Sequence, residues 1–182
     1  MTGRLFVVVG PSGVGKDTLL AGATRADPAL HWARRVITRP SAAGDEPFEG
    51  VSRPEFSARL AAGAFALHWE AHGLSYAVPA TELAPMAHGR TVLLNGSRAA
   101  LAGALAAFPD LTVIRVSAPP AVLADRLAQR GRESRDEIAA RLNRAGHDLP
   151  GTARVIDLHN SGTPAEGIAA LLQVLSANRC SR

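Results

Sequence analysis

Short apolar runs and segments with helical character alternate along most of this chain. Residues 5–9 (LFVVV) are apolar, rich in β-branched side chains and followed by a glycine, which predicts a strand buried on both faces. Similar runs predict strands at 91–95, 111–116 and 155–158. Helices are predicted from residue 18 onward and at 97–108, 119–130, 135–145 and 164–175. Strands that alternate with helices predict an α/β fold with a doubly wound parallel sheet.

The middle of the chain breaks this alternation. Residues 31–37 predict a second strand that ends at 38–40, and the turn-rich residues 41–54 predict a loop. A short helix over 54–60, which ends at Gly63, and short strands within 65–78 follow. We therefore predict a single domain over 1–182. Its parts are a core (1–38 and 88–182), an inserted substrate-binding subdomain (39–87) and a mobile lid (130–141).

The charge composition bears on the expected ligand. The chain has 20 Lys and Arg against 16 Asp and Glu, which gives a net charge of +4 and a pI near 10.5. Lys16 is the only lysine, so 20 − 1 = 19 of these residues are arginines, and they are dispersed rather than clustered. Aromatic residues make up only 4%, which disfavours nucleic-acid binding. The positive charge fits a ligand with several phosphates instead.

The composition also disfavours secreted and membrane proteins. Cys180 is the single cysteine, so we expect neither a disulfide framework nor a cysteine-based metal site. No apolar segment approaches the roughly 20 residues that span a membrane, and the N-terminus does not resemble a signal peptide. We expect a soluble cytoplasmic protein without nucleic-acid or membrane partners, and the sequence leaves a homodimer open.

A glycine-rich loop follows the first predicted strand. Its sequence, GPSGVGKD, leads into a predicted helix, and this order of strand, glycine loop, lysine and helix is typical of the phosphate-binding P-loop. Glycines let successive N–H groups converge on an anion, the helix N-terminus adds positive potential, and the lysine reaches the β- and γ-phosphates. The predicted nucleotide-binding residues of this segment are Gly10, Pro11, Ser12, Gly13, Val14, Gly15, Lys16, Asp17 and Thr18.

The position after the lysine departs from the usual P-loop pattern. It normally carries a Ser or Thr whose hydroxyl binds Mg²⁺, but here it is Asp17. Mg²⁺ prefers hard oxygen ligands, so either the Asp17 carboxylate or the Thr18 hydroxyl is expected to bind it, and the sequence does not choose between them. A chance glycine-rich turn before an ordinary helix is disfavoured, because the strand, the spacing and the lysine all agree.

Three groups of arginines lie outside this loop. Arg39 precedes the subdomain, a second group lies within 126–133, and a third lies within 141–144. Guanidinium groups bind phosphate oxygens bidentately and stay charged, so they suit both an acceptor phosphate and a phosphoryl group in transfer. Arginines on helices are often merely solvated. Because Arg130 and Arg141 flank a glycine-containing segment, we predict that they are catalytic together with Lys16.

The motifs of the chain, taken in order, resemble the guanylate kinase superfamily of P-loop kinases. They are GPSGVGK, VITRP, the aromatic subdomain, RLAQRGRES followed by EIAARL, and HNSG, and they cover nearly the whole chain. The resemblance implies ATP and Mg²⁺ as cofactors. It also implies that Arg39 and Tyr76 hold the acceptor phosphate. Arg130 and Arg141 would then clamp the triphosphate, and Asn160 would lie beside the adenine.

Two departures from true guanylate kinases concern the acceptor. Leu67 stands where the resemblance places a glutamate that reads guanine, and a leucine accepts no hydrogen bond from a base. The segment LNGSR (94–98) stands where the superfamily carries D-x-D. This neutral and basic segment suits sugar hydroxyls or a second phosphate. Asn95, Ser97 and Arg98 are therefore predicted to bind the acceptor.

These departures resemble a narrower family, the ribose 1,5-bisphosphate phosphokinases of phosphonate catabolism, whose motifs GPSGxGKD, VITRP, LxNGSR and RGRE are all present. The resemblance implies ATP-dependent phosphorylation of a small phosphorylated sugar, ribose 1,5-bisphosphate, to 5-phosphoribosyl 1-diphosphate. The attacking phosphate oxygen is already anionic, so no general base is needed. The alternatives are a nucleoside monophosphate kinase, guanylate kinase above all, and a non-catalytic guanylate kinase-like module that binds a protein.

Other polar side chains have ordinary explanations. Four carboxylates lie in or near the subdomain, on Asp45, Glu46, Glu49 and Glu70. They could contact ribose hydroxyls or a metal-bound water, but solvated loop carboxylates are commoner. His68 and His72 have the i, i+4 spacing of a metal pair, yet no third ligand is apparent and the region does not read as a helix. We expect these histidines to pack or to line the substrate pocket.

Overall fold

The computed structural model describes residues 3–40, 47–130, 151 and 153–179, without the side chains of Arg130 and Arg179. The predicted lid beyond residue 130, the predicted helix at 135–145, Asp45, Glu46 and Cys180 lie outside these residues. The elements in chain order are β1 (Leu5–Val9), α1 (Lys16–Ala26), β2 (Leu30–Trp32), β3 (Arg35–Ile37), β4 (Phe48–Gly50), α2 (Arg53–Ala61), β5 (Phe65–Ala71), β6 (Leu74–Pro79), α3 (Ala80–Leu83), a 3₁₀ helix (Ala84–His88), β7 (Thr91–Asn95), α4 (Arg98–Ala107), β8 (Thr112–Ser117), α5 (Pro120–Arg130), β9 (Arg154–His159) and α6 (Pro164–Arg179).

A five-stranded parallel sheet forms the core, in the order β2-β7-β1-β8-β9. Side chains of the central strand β1 alternate between the two faces of this sheet. Leu5, Val7 and Val9 belong to a buried cluster that includes α4, whereas Phe6 and Val8 belong to one that includes α1 and α6. Helices thus cover both faces, and the predicted doubly wound α/β fold is confirmed.

A second, four-stranded sheet has the order β4-β3-β6-β5, with β3 parallel to β4 and antiparallel to β6. The predicted single strand at 31–37 is wrong, because β2 pairs with β7 in the core sheet and β3 pairs with β6 in the second sheet. An apolar pattern records burial but not a change of pairing partner. The second sheet therefore begins at β3, which precedes the predicted subdomain boundary at residue 39.

Short elements between the predicted ones were not anticipated. The predicted loop at 41–54 is wrong at residues 48–50, which form the edge strand β4, and α2 begins at Arg53 with Ser52 as its N-cap. Neither α3 nor the 3₁₀ helix was predicted. Elements of three to five residues are too short to produce a recognisable period in the sequence.

The longer helices match the prediction closely. Those predicted at 97–108, 119–130 and 164–175 correspond to α4, α5 and α6, and α6 runs on to Arg179. None of the helices within the described ranges combines the length and the apolar character needed to cross a lipid bilayer.

The start of α6 is fixed by a reciprocal capping interaction. Thr163 donates to Glu166 Oε2 from both its backbone N and its Oγ1, each at 2.8 Å. The Glu166 N–H in turn donates to Thr163 Oγ1 at 3.3 Å. Hydrogen bonds from the Thr163 backbone, and secondarily from its side chain, hold the pKa of Glu166 below its usual value. This cap fixes where the β9–α6 loop ends.

The capping interaction makes stability depend on pH. Because the folded-state pKa of Glu166 is lowered, its contribution is complete above the ordinary glutamate pKa and is lost as pH falls through the lower folded value. We expect Glu166→Gln to be less stable than the parent near pH 7, and the difference to shrink towards about pH 3. Urea denaturation across this range measures it, with Glu70→Gln, an exposed position on β5, as the control. A difference that is constant with pH would contradict the ionic cap.

Candidate active site

The glycine-rich loop joins β1 to α1 at the carboxyl end of the core sheet. Gly15 is the N-cap of α1, and its φ of +93° is a left-handed conformation that glycine adopts without strain. A Cβ at this position would lie 2.9 Å from Asn160 Nδ2, so the turn leaves no room for a side chain. Because α1 begins at Lys16, the N–H groups of its first turn have no acceptor within the helix. The loop and the helix end together have the geometry of an anion site.

The Lys16 ammonium lies over the loop that precedes it. Its Nζ donates to Gly10 O at 2.8 Å and to Pro11 O at 3.1 Å. Both carbonyls belong to the start of the same turn. The positive charge is therefore held beside the turn, where it adds to the potential of the helix end.

Two side chains from distant parts of the chain hold this loop. Asn160, which follows β9, is only 5% exposed, and its Nδ2 donates to Val14 O at 2.8 Å. Arg126 on α5 donates to Asn160 O at 2.9 Å, to Gly162 O at 3.0 Å and to Val14 O at 3.4 Å. The β1–α1 loop, α5 and the β9–α6 loop thus meet at one carbonyl. Arg126 lies in the second predicted arginine group, but nothing in the sequence singles it out, since Val14 is 112 residues away.

A cavity of about 390 Å³ lies beside the loop. Its lining includes Gly13, Gly15, Thr18, Arg126, Asn160 and Pro164. Asn160 Oδ1 is buried and accepts no hydrogen bond from the described residues. A volume of this size suits a small organic ligand next to the glycine-rich loop, whereas Asn160 Oδ1 lies against Gly167 of α6.

Asp17 and Thr18 follow Lys16 in the first turn of α1. Asp17 Oδ1 accepts a hydrogen bond of 2.6 Å from Nδ2 of Asn95, the last residue of β7, whereas Thr18 is exposed. Carboxylate and hydroxyl oxygens are the hard ligands that Mg²⁺ prefers. Among the described residues, no group of three or more His, Cys, Asp or Glu could hold a metal. This donor set therefore fits an ion that is shared with water and phosphate oxygens, not one enclosed by protein.

The loop from β7 to α4 passes close to the P-loop strand. Gly96 N donates to Val8 O at 2.9 Å, and a Cβ on Gly96 would lie 2.4 Å from Val7 Cγ1. Ser97 is the N-cap of α4, but its Oγ makes no cap bond, is buried and has no partner within the described part of the chain. Arg98 is exposed at the first position of α4. The predicted acceptor residues of this loop thus sit at the carboxyl edge of the core sheet.

Tyr76 is held between two side chains of the second sheet. Its ring stacks on that of Trp69, its partner across β5 and β6, with centroids 5.4 Å apart and planes at 6°. The guanidinium of Arg35 on β3 lies 5.3 Å from the centroid of the Tyr76 ring. Both contacts restrict the ring and so fix its phenol. Arg35 is 8% exposed and was not predicted; an arginine at the start of an apolar strand is the signal that could have found it.

Arg39 lies two residues after β3, close to the strand that carries Tyr76. Thr38 is tied to β6, since its N donates to Ser75 O at 3.1 Å and its Oγ1 accepts from Ser75 N at 2.9 Å. The Arg39 guanidinium lies over the Phe48 ring at 4.3 Å. Its Nε is buried and donates no hydrogen bond within the described ranges. The predicted pair, Arg39 and Tyr76, therefore extends from neighbouring strands.

One face of β5 is apolar and packs against α4. Leu67 and Trp69 on this face are 6% and 7% exposed, and they belong to the same buried cluster as Leu94, Ala100 and Leu101. Trp69 Nε1 is buried without a hydrogen-bond partner among the residues that the structure describes. Leu67, which stands where the resemblance places a base-reading glutamate, is thus part of the contact that joins the second sheet to the core.

The remaining predicted residues are the lid arginines and the carboxylates of the subdomain. Arg130 ends α5, and its side chain, like the whole of Arg141, lies outside the described residues. Glu49 accepts a hydrogen bond of 2.8 Å from Arg59, which lowers the pKa of its carboxyl group. Glu70 is exposed on β5. A surface ion pair and solvation account for these two carboxylates, as the ordinary explanation predicts.

The two histidines belong to no group of three or more potential metal ligands in the described part of the chain. His68 lies on β5 and His72 in the turn between β5 and β6, where its φ is +52°. They share no helical face, in agreement with the sequence interpretation. Both side chains are exposed, which disfavours the packing alternative and does not test the substrate-pocket alternative. His68 lines a second cavity, of about 460 Å³, together with Phe56, Trp69 and Ala99.

No protein-family model matches this chain. It is 48% identical over 179 residues to the ribose 1,5-bisphosphate phosphokinase PhnN of Ruegeria sp. strain TM1040, which covers 97% of this chain and 94% of that protein. It is 49% identical over 179 residues to a bifunctional ribose 1,5-bisphosphokinase-thymidine phosphorylase of Azorhizobium caulinodans. That match covers 97% of this chain but only 26% of the bifunctional protein.

A solved structure supports the fold. The guanylate kinase of Anaplasma phagocytophilum matches with a TM-score of 0.72 over 99% of this chain and 88% of that chain, at 19% sequence identity. At this identity the likeness concerns the fold alone. The similarity to the Ruegeria relative extends over nearly the full length of both chains, and it shows the family as well as the fold. The resemblance seen in the motifs is confirmed, and this chain belongs to the ribose 1,5-bisphosphate phosphokinase family, with a guanylate kinase-like P-loop fold.

Proposed function

We propose that this protein transfers the γ-phosphoryl group of ATP to the 1-phosphate of ribose 1,5-bisphosphate in phosphonate degradation. The products are ADP and 5-phosphoribosyl 1-diphosphate. Relatives named ribose 1,5-bisphosphate phosphokinase match nearly the whole chain, and the Ruegeria protein does so at 48% identity. A phosphate-binding loop on the core sheet and arginines on the second sheet support the proposal independently.

ATP would occupy the P-loop side. Its phosphates would meet the loop amides and the Lys16 ammonium, which would exchange its bonds to carbonyl groups for stronger bonds to anionic oxygens. The adenine would enter the cavity of about 390 Å³ beside Arg126 and Asn160. Asn160, which lines this cavity, would lie beside the base.

Mg²⁺ would be held by the Asp17 carboxylate or the Thr18 hydroxyl together with phosphate oxygens and water. When bound, the ion neutralises charge on the β- and γ-phosphates. Both residues follow Lys16 in the first turn of α1, so the lysine and an oxygen ligand would act on the same phosphates.

The acceptor would lie between the second sheet and the β7–α4 loop. Arg39 and Tyr76 would bind one phosphate, and the stack on Trp69 would keep the phenol in place. The unpartnered Oγ of Ser97 would hold a ribose hydroxyl or a phosphate oxygen. Arg98, exposed at the start of α4, would add a second guanidinium to this side.

The proposed reaction is a phosphoryl transfer between two anions. An oxygen of the 1-phosphate forms a bond to the γ-phosphorus, while the bond from that phosphorus to the bridging oxygen breaks and leaves its electron pair on ADP. The attacking oxygen is anionic near neutral pH, so no general base has to remove a proton. Catalysis then consists of alignment and neutralisation of charge by Lys16, Arg130 and Arg141.

One observation carries the choice of a sugar phosphate over a nucleoside monophosphate. Leu67 and Trp69 are buried in one cluster with Ala100 and Leu101 of α4, so the second sheet contacts the core through apolar side chains at the predicted base-reading position. Such a contact offers a purine no hydrogen-bond partner at residue 67. A sugar bisphosphate has no base and needs neither.

The two alternatives have less support. A guanylate kinase requires a polar reader for its base, and Leu67 provides none. A non-catalytic module has no use for an organised phosphate loop. Here the left-handed Gly15, the position of Lys16 and the contacts from Asn160 and Arg126 all serve that loop.

A panel of acceptors tests the proposed function. With Mg·ATP, we expect kcat/KM for ribose 1,5-bisphosphate to exceed that for GMP, AMP or ribose 5-phosphate by at least about 100-fold, because only the bisphosphate presents an anionic 1-phosphate. A coupled assay of ADP release measures all four. A preference for GMP would favour the guanylate kinase function, and failure to bind Mg·ATP in a titration would favour the interaction module.

Lys16→Ala tests the phosphate loop. We expect kcat/KM to fall by about 10²- to 10³-fold, since one preorganised charge on the transferred group is removed. The control is Arg25→Ala, which removes an exposed cation in the last turn of the same helix and should leave kcat/KM unchanged. If turnover of Lys16→Ala stays within a factor of a few of the parent, the role of Lys16 is wrong.

Trp69→Ala tests whether the stack positions Tyr76. We expect KM for ribose 1,5-bisphosphate to rise by about 10-fold and KM for ATP to change by less than about 2-fold, because the phenol and the second sheet lose support whereas the P-loop belongs to the core sheet. Trp69→Phe keeps a ring, so both of its KM values should lie near those of the parent. As a control, His68→Ala removes an exposed neighbour on the same strand and should not produce the rise seen with Trp69→Ala. Circular dichroism establishes that each variant is folded at the assay temperature. An equal rise in both KM values would contradict the account.

A further inference from the structure

The hydrogen bond between Asn95 and Asp17 joins two parts of the site that the sequence treats separately. Asn95 ends β7 and was predicted to bind the acceptor, whereas Asp17 follows the P-loop lysine and was predicted to bind Mg²⁺. Asn95 Nδ2 lies 2.6 Å from Asp17 Oδ1. The departure from the P-loop pattern at Asp17 and the departure from D-x-D at Asn95 therefore meet in one contact.

The contact has the properties of a support for the carboxylate. Asn95 is 4% exposed and is held by the core sheet, where Val8 of β1 is its register partner. A neutral N–H₂ donor satisfies one oxygen of a carboxylate and leaves its negative charge in place. Asp17 Oδ2 makes no hydrogen bond with the described residues, so it remains available for another ligand.

The chemistry of the pair requires an amide on one side. A carboxylate at residue 95 would place two acidic groups 2.6 Å apart, where they repel each other or share a proton. A leucine would give no hydrogen bond. An amide at residue 95 thus complements an aspartate at residue 17, as an outer ligand orients an inner one at many metal sites.

We propose that Asn95 is a positioning residue that orients the Asp17 carboxylate towards the Mg²⁺ of bound ATP, rather than a contact to the sugar. This inference rests on the proposed function only in that the donor is Mg·ATP. It also chooses Asp17 over the exposed Thr18 as the metal ligand. Asn95 and Asp17 should then act as one unit on the donor side, with no direct part in holding the acceptor.

The test is a double-mutant cycle on nucleotide binding, without any acceptor. Calorimetric titrations with ATP, with and without Mg²⁺, give the ratio of the two dissociation constants. We call this ratio, by which the ion tightens ATP binding, the Mg²⁺ factor. We expect Asn95→Leu to reduce this factor by about 10-fold, with the affinity for metal-free ATP unchanged within about 2-fold. Asp17→Asn should reduce it at least as much, and Asn95→Leu should add no further loss in that background.

Control variants keep the test decisive if Asn95→Leu folds poorly. Asp110→Asn removes an exposed carboxylate far along the chain and should leave the Mg²⁺ factor unchanged. The exchange Asn95→Asp with Asp17→Asn keeps the hydrogen bond with donor and acceptor reversed, so we expect it to fold. Because its carboxylate lies on the wrong side, its Mg²⁺ factor should match that of Asp17→Asn alone. A full Mg²⁺ factor in the exchanged protein would overturn the proposal.

The acceptor assay separates this inference from the proposed function. If Asn95→Leu raises KM for ribose 1,5-bisphosphate while the Mg²⁺ factor stays intact, Asn95 contacts the sugar and the inference is wrong. Additive losses in the cycle would likewise overturn it. If the parent protein prefers another acceptor but the cycle behaves as expected, the proposed function fails and the Asn95–Asp17 unit stands.

Discussion

The Val14 carbonyl is the point on which the rest of the site depends. A phosphate site made of backbone amides has no side chains of its own to fix its shape, so the turn must be held from outside. Asn160 and Arg126 do this by donating to Val14 O from two other segments of the chain. Arg126 also donates to Asn160 O, so the two supports hold each other. The loop, α5 and the β9–α6 connection therefore keep one geometry together.

The two sides of the site are held in different ways. The proposed donor side is fixed by hydrogen bonds to main-chain groups, whereas the proposed acceptor side is carried by the second sheet, which packs on α4 through Leu67 and Trp69. Apolar packing occupies the position at which the resemblance places a base-reading glutamate. The same packing supports Tyr76, because Trp69 stacks on its ring. The residue at the predicted base-reading position, Leu67, and the residue that supports the phenol, Trp69, thus lie on the same strand, β5.

Local order made much of the fold predictable. The apolar run 5–9, the glycines and the lysine all lie within a dozen residues, so the sequence predicts strand, loop and helix correctly. The contacts of Arg126 and Arg35 were not predicted, because their partners Val14 and Tyr76 are brought to them only by the folded chain. The contact of Asn95 with Asp17, 78 residues apart, was missed for the same reason. Pairing partners, as in β2 and β3, also depend on tertiary structure and not on pattern.

The central claim is that a phosphate, and not a hydroxyl or a nucleotide, accepts the phosphoryl group. Phosphorus-31 NMR of the products formed from Mg·ATP and ribose 1,5-bisphosphate tests this most directly. The account predicts a new diphosphate at C1, seen as two mutually coupled resonances, beside an unchanged 5-phosphate monoester and ADP. A new phosphate monoester on the ribose without that coupling, or no change in the sugar at all, would contradict it.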